Sequence, residues 1–291
     1  MKNSERKAAL MLTLSMAVFG TLGPFVRNIP ISSAQLALSR AVLAAVLIMT
    51  YMCITKQKIQ FSTIRKELPL LLFSGGAMGV NWILLFEAYK YTTVSSATLV
   101  YYFAPVIVTI VCPFLFKEKL GIKQIICFCM ATIGIVLMTG SGDLSAGNNH
   151  VLGFVFAFGA AVLYATVVLI NKFIKNIGGI HRTLLQFASA IIVLLPYVLT
   201  TSGISFDGMT STGWINLLIV GFIHTGVTYC MYFTALRDIS GQKAAILSYV
   251  DPLVAVIISV FILSESMTMM QIAGGLLILG FTLWNELPSK R

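Results

Sequence analysis

Arg40, Glu87, His224 and Asp251 are ionisable side chains set inside stretches that are otherwise apolar. An ionised group at the centre of a bilayer costs from about 2.5 to over 10 kcal/mol, so each needs a reason to be there. Arg40 offers a planar guanidinium that could receive a carboxylate or pair with an acid; it could also snorkel to the nearer boundary. Asp251 directly precedes Pro252, a residue that removes a helical hydrogen bond and frees a backbone carbonyl. Asp251 and His224 fall at similar depth, where they could form a proton-binding pair or a hydrogen-bonded pair that fixes packing. Glu87 stands three residues before Lys90, the spacing of an ion pair on one helix face. Asn81, Trp82, Tyr101, Tyr102, Tyr229 and Tyr249 also lie near mid-depth. Polar tips there must find partners, and the rings could stack on an organic solute as readily as pack a core.

The elements that must position these groups are apolar runs of about 20 residues, long enough to cross a hydrocarbon core about 30 Å thick. The chain is 58% hydrophobic and only 10% charged, against about 25% charged in an ordinary soluble protein. Ten spans are read: 7–26, 34–54, 68–89, 94–115, 121–140, 151–171, 182–201, 212–235, 243–263 and 267–286. With the N-terminus placed in the cytoplasm, 17 Lys and Arg residues fall on the inner side and Arg27 and Lys90 on the outer side, with Arg40 inside a span. That bias sets the orientation, with both termini cytoplasmic. It also accounts for the formal charge of +10 without nucleic acid. A helix rise of about 1.5 Å puts Arg40 roughly 9 Å below the outer boundary and Asp251 roughly 13 Å from the inner one.

The spans repeat. A shift of 147 positions brings Phe86 onto Phe233, Ala88 onto Ala235, Tyr102 onto Tyr249, Pro105 onto Pro252, Phe114 onto Phe261 and Glu118 onto Glu265, without a gap. Chance matches among apolar residues are cheap; a paired proline and a paired glutamate thirteen residues apart are not. Five spans per unit is an odd number, so the second copy enters the membrane upside down. Inverted repeats are a signature of secondary transporters, whose two halves exchange packings around a central site. The copies are expected at 1–144 and 145–291. Glu118 and Glu265 end their spans as packing anchors or gates. Glycines at 75, 76, 79, 221, 226, 274 and 275 mark expected close helix contacts.

Other classes lack their signatures. There is no G-x-x-x-x-G-K-[ST] phosphate loop, no arginine-every-third span and no G-Y-G-type filter. The cysteines sit in or at the ends of apolar runs, and Cys127 with Cys129 has no further Cys or His at ligand spacing, so no metal site and no cofactor are expected. A lipid-modifying enzyme would need acids or histidines clustered at one leaflet, whereas these are scattered.

The order and spacing of Leu38–Ser39–Arg40–Ala41, of AYKYTTVSSATLVYYFAP at 88–105, of its echo ALRDISGQKAAILSYVDP at 235–252, and of the closing Glu118 and Glu265 resemble the drug/metabolite transporter superfamily, in its ten-helix EamA-type branch. The resemblance covers the whole chain. It implies an all-α integral membrane protein of ten transmembrane helices in two inverted five-helix repeats. It further implies a central cavity, alternating access, and transport of a small organic metabolite such as an amino acid or, alternatively, a sugar or nucleotide sugar. The expected setting is a bacterial inner membrane. The expected partners are the solute, the lipid bilayer and coupling protons. Arg40, Asn81, Trp82, Tyr101, Tyr102, Tyr229 and Tyr249 are expected to bind substrate, and His224, Asp251, Pro105, Pro252 and Glu87 to couple or gate. Asp251 does not belong to the family pattern, and its role rests on depth alone.

Overall fold

The computed structural model describes residues 2–56, 61–116, 121–140, 149–171, 173–174, 177, 179–237, 247–248 and 250–286. Every regular element among them is a helix. Backbone groups in hydrocarbon must be satisfied within their own segment, which favours this solution for so apolar a chain. In chain order these are α1 (Lys2–Gly20), α2 (Leu22–Arg27), α3 (Ser33–Ile54), α4 (Phe61–Tyr91), α5 (Val94–Tyr101), α6 (Ala104–Phe116), α7 (Ile122–Gly140), α8 (Asn149–Asn171) and α9 (Gly179–Thr201). Then come α10 (Ser211–Leu218), a π-helical stretch (Ile219–Val227), α11 (Thr228–Arg237), α12 (Val250–Phe261) and α13 (Met269–Glu286). Among the described residues, six spans are long and apolar enough to cross a membrane. Leu10, Phe73, Phe114, Val136, Leu199 and Leu276 stand exposed on the outside of the bundle. Such a surface suits lipid rather than water.

Three spans are not the single straight helices that apolar length suggests. The first breaks at Thr21, between α1 and α2. The fourth breaks at Tyr102 and Phe103, just before Pro105, which cannot donate a hydrogen bond to the carbonyl of Tyr101. The eighth, read as one helix over 212–235, carries nine π-helical residues in its middle. Thr225 and Thr228 each donate to the carbonyl five residues back, Val220 and Ile223, at 2.7 Å. π-Helical turns of this kind gather at functional sites. Tyr249 and Glu118 lie outside the described residues.

Helix contacts obey the 147-residue shift. α3 packs on α9, and α7 on α13; each pair is its own image, since α3 moved by 147 falls on 180–201. The α4–α9 contact has its image in the contact of α3 with the π-helical stretch, and the α4–α8 contact in α1–α11. The two copies are thus interleaved rather than side by side, with the core between them. Glycines permit the closest crossings. A Cβ on Gly75 would stand 2.4 Å from both the Gln186 carbonyl oxygen and the Ser189 Cβ on α9, and one on Gly221 would stand 2.4 Å from Leu43 on α3.

Candidate functional site

Arg40 is 2% exposed. It does not snorkel, because its guanidinium turns inward against an aromatic cage. Its carbon lies 4.4 Å from the Trp82 ring centroid and 5.3 Å from that of Phe86. Its Nε donates to Thr225 Oγ1 at 2.9 Å, and the π-helical register that aims Thr225 at α3 supplies that acceptor. The ion pairs of the described residues are Arg27–Glu265 and Lys90–Glu87. Among these residues Arg40 has no carboxylate within ion-pair distance. A guanidinium stacked on rings gains cation–π attraction, worth about 2 kcal/mol or more when desolvated. That does not replace an anion.

The cage continues through rings. Tyr229 sits 6.3 Å from Trp82, 5.5 Å from Phe187 and 5.0 Å from Phe19, each time edge to face. Tyr101 lies 5.3 Å from Tyr164 and 6.2 Å from Tyr102. Asn81 is committed elsewhere: its amide donates to the Ala160 carbonyl at 2.5 Å, tying α4 to α8, and its oxygen accepts from Tyr101 at 3.5 Å. Trp82, Tyr101 and Tyr229 therefore gather near Arg40, whereas Asn81 chiefly fixes a helix crossing.

Tyr102, at the break of span four, reaches the second copy. Its hydroxyl lies 2.7 Å from Asp251 Oδ2 and 3.1 Å from the Ser248 carbonyl oxygen. Ser248 stands four residues before Pro252, so its carbonyl is the one that proline deprives of a helical partner. Asp251 is the second residue of α12.

The expected pairing of His224 with Asp251 is not formed. His224 Nε2 meets Thr21 Oγ1 at 3.0 Å, and its Nδ1 lies 3.4 Å from the Ile219 carbonyl. Gly20, the neighbour of Thr21, packs against the Asp251 carbonyl instead. The break between α1 and α2 thus touches both residues, each through a different atom. Depth arguments give a height in the membrane but not a direction around the helix, which is why the two looked adjacent. Glu87 pairs with Lys90 at 2.9 Å on the rim, as its spacing suggests. Pro105 is the second residue of α6 and Pro252 the third of α12.

Sequence reading missed Thr225, Phe86, Phe187, Phe19 and Tyr164. Tyr164 stands in the middle of α8 and was open to the same depth argument as the other tyrosines. The phenylalanines carry no signal that separates them from lipid-facing residues. Among the described residues, no group of three His, Cys, Asp or Glu side chains is placed to hold a metal ion.

The fold and this arrangement define a multi-pass membrane protein built as two related helical units. The chain belongs to the EamA-like transporter family, whose model matches residues 6–140 and again 151–285. As a member it is a transporter and not an enzyme. It is 28% identical over 252 residues to the uncharacterized transporter YxxF of Bacillus subtilis (strain 168), covering 86% of this chain and 80% of that one. It is 25% identical to the uncharacterized inner membrane transporter YicL of Salmonella typhimurium (strain LT2), covering 99% of this chain and 98% of that one. A probable amino-acid metabolite efflux pump of the same Salmonella strain is 27% identical over 237 residues, 75% of this chain and 77% of that one. A solved crystal structure, 17% identical and matching 94% of each chain, superposes with a TM-score of 0.67, which shows a shared fold.

Proposed function

We propose that this protein is a secondary carrier of a bacterial inner membrane that exports or exchanges a small carboxylate-bearing metabolite, an amino acid or a close relative, by alternating access. The observation that carries the reading is the buried Arg40 guanidinium, which has rings on its faces and no carboxylate against it among the described residues. A substrate carboxylate would supply the missing charge, with Trp82, Tyr101 and Tyr229 contacting the rest of the solute. The cage as it stands encloses Arg40, so a solute reaches it only when the two copies part. The similarity to the probable amino-acid metabolite efflux pump favours the same substrate class. A sugar or nucleotide-sugar carrier would want more hydrogen-bonding side chains around the cage than Thr225 and the tyrosines.

Coupling to protons is assigned to Asp251 with Tyr102. When Asp251 is ionised, the single Tyr102 hydrogen points at its carboxylate. When Asp251 carries a proton, it donates to the Tyr102 oxygen, and the Tyr102 hydrogen turns to the Ser248 carbonyl. One proton thereby redirects the bond that joins the break of span four to the first turn of α12. Counterflow in proteoliposomes tests the proposal as a whole. Saturable exchange is expected for carboxylate-bearing solutes and not for their uncharged analogues; saturable exchange of sugars alone would overturn it.

A further inference from the structure

Arg27 and Glu265 lie on the side that the charge count makes outer. Arg27 ends α2 in the first copy; Glu265 lies between α12 and α13 in the second. Their side chains form an ion pair in which Glu265 is 8% exposed and Arg27 32%. Each end is fastened again. Arg27 Nη2 donates to the Thr92 carbonyl at 3.1 Å and lies 3.4 Å from that of Tyr89. Glu265 Oε2 accepts the Val94 backbone N–H at 3.1 Å, at the first residue of α5, and also the hydroxyl of Ser259. One carboxylate therefore holds the α12–α13 turn of the second copy against both α2 and the α4–α5 turn of the first.

What this clasp borders is a pocket of about 460 Å³. Arg27, Ser33, Phe86, Tyr89 and Lys90 are among its walls. Phe86 is common to the two sites: it lines the pocket and also lies under the Arg40 guanidinium. Along α3, Ser33, Leu36 and Arg40 fall on one face at helical spacing, with Ser33 and Leu36 in the pocket wall. A solute leaving Arg40 along that face passes Phe86, enters the pocket and meets the clasp. Both pocket cations already hold carboxylates, so the pocket makes a passage rather than a second anion site.

We propose that the Arg27–Glu265 pair is the outer gate of the carrier, closed in this structure, and that its opening separates the α12–α13 turn from the α4–α5 turn to admit the outer medium past the exposed rim at Arg27 and Lys90 to the buried inner wall of the pocket at Ser33. The proposal rests on the transport reading only for its purpose; its test needs no substrate. Ser33 is the reporter. It is 2% exposed, and its hydroxyl has no hydrogen-bond partner among the described residues, so Ser33→Cys removes none of the described bonds. The cysteine variant, with and without Arg27→Ala or Glu265→Gln, is treated from outside with a membrane-impermeant maleimide, and labelling is read peptide by peptide.

Either gate variant is expected to raise the Ser33→Cys labelling rate by about fivefold or more, since removing the pair shifts the population toward the open form. Arg27→Lys, which keeps the charge, is expected to lie much closer to the parent. Two native cysteines report on the rest of the fold. Cys53, exposed near the far end of α3, should react with a permeant maleimide at an unchanged rate, and the buried Cys127 should stay unlabelled. If Arg27→Ala exposes Cys127 through general loosening, the near-isosteric Glu265→Gln decides the question. Labelling of Ser33→Cys that is unchanged in Glu265→Gln overturns the gate, and leaves the substrate assignment standing.

Discussion

Tyr102 and Asp251 meet at 2.7 Å although 149 residues separate them, the first at the break of span four and the second in the first turn of α12. The contact is not symmetric. The counterpart of Asp251 in the first copy is Ala104, so only the second copy carries an acid at this position. Arg40 is asymmetric in the same way, with no arginine at the equivalent place in α9.

If that contact couples protons to transport, Asp251→Asn should keep solute exchange and lose accumulation driven by a pH gradient. Tyr102→Phe should weaken accumulation without abolishing exchange, because the acid remains but the redirected hydrogen bond is gone. Uptake into proteoliposomes, measured with and without an imposed gradient, reads both. Normal accumulation by Asp251→Asn would end the coupling assignment.

Arg40 should trade stability for function. A buried charge without an anion is costly, and even buried ion pairs are often replaced by apolar residues of similar volume with a neutral effect or a gain of about 1–4 kcal/mol. Arg40→Met is therefore expected to hold or raise the melting temperature in detergent while saturable transport is lost. A large fall in melting temperature would instead make Arg40 a structural residue. Thr225→Val removes the Nε acceptor together with the Thr225 bond to the Val220 carbonyl, and should weaken solute affinity by about tenfold or more, the worth of one hydrogen bond to a charged group. Thr225→Ser should restore it.

Gly75 tests the interleaving of the copies. Its Cβ would strike the Gln186 carbonyl oxygen and Ser189 Cβ at 2.4 Å, and backbone cannot yield as a flexible side chain does. Gly75→Ala should destabilise the protein by about 1–3 kcal/mol, the usual cost of overpacking. Gly280, where an added Cβ would meet no atom of the described residues within 4 Å, is the control at which alanine should be harmless or mildly stabilising. Thermal unfolding in one detergent compares the two.

Much of this was legible because polar groups are conspicuous in an apolar chain. Arg40, Trp82, Tyr102 and Asp251 stand out by the cost of their depth, and Pro105 marks the break of span four. Glu265 stood out because the repeat pairs it with Glu118. Direction around a helix axis was not legible. His224 shares an expected depth with Asp251, yet its ring turns to Thr21. The π-helical turns at 219–227 were hidden too, since their residues are as apolar as those of an ordinary span and their register decides where Thr225 points. Phe86 and Phe187 became site residues only when α4 and α9 were seen together.

The measurement closest to the central claim is counterflow of labelled carboxylate-bearing solutes, amino acids first, by the parent protein and by Arg40→Gln in the same liposomes. The account predicts a saturable signal for the parent. In the variant, half-saturation should rise about tenfold to a hundredfold, the range set by losing a charged hydrogen-bonded contact. Equal half-saturation in the two proteins would contradict it, because the guanidinium would then be no part of what the carrier recognises.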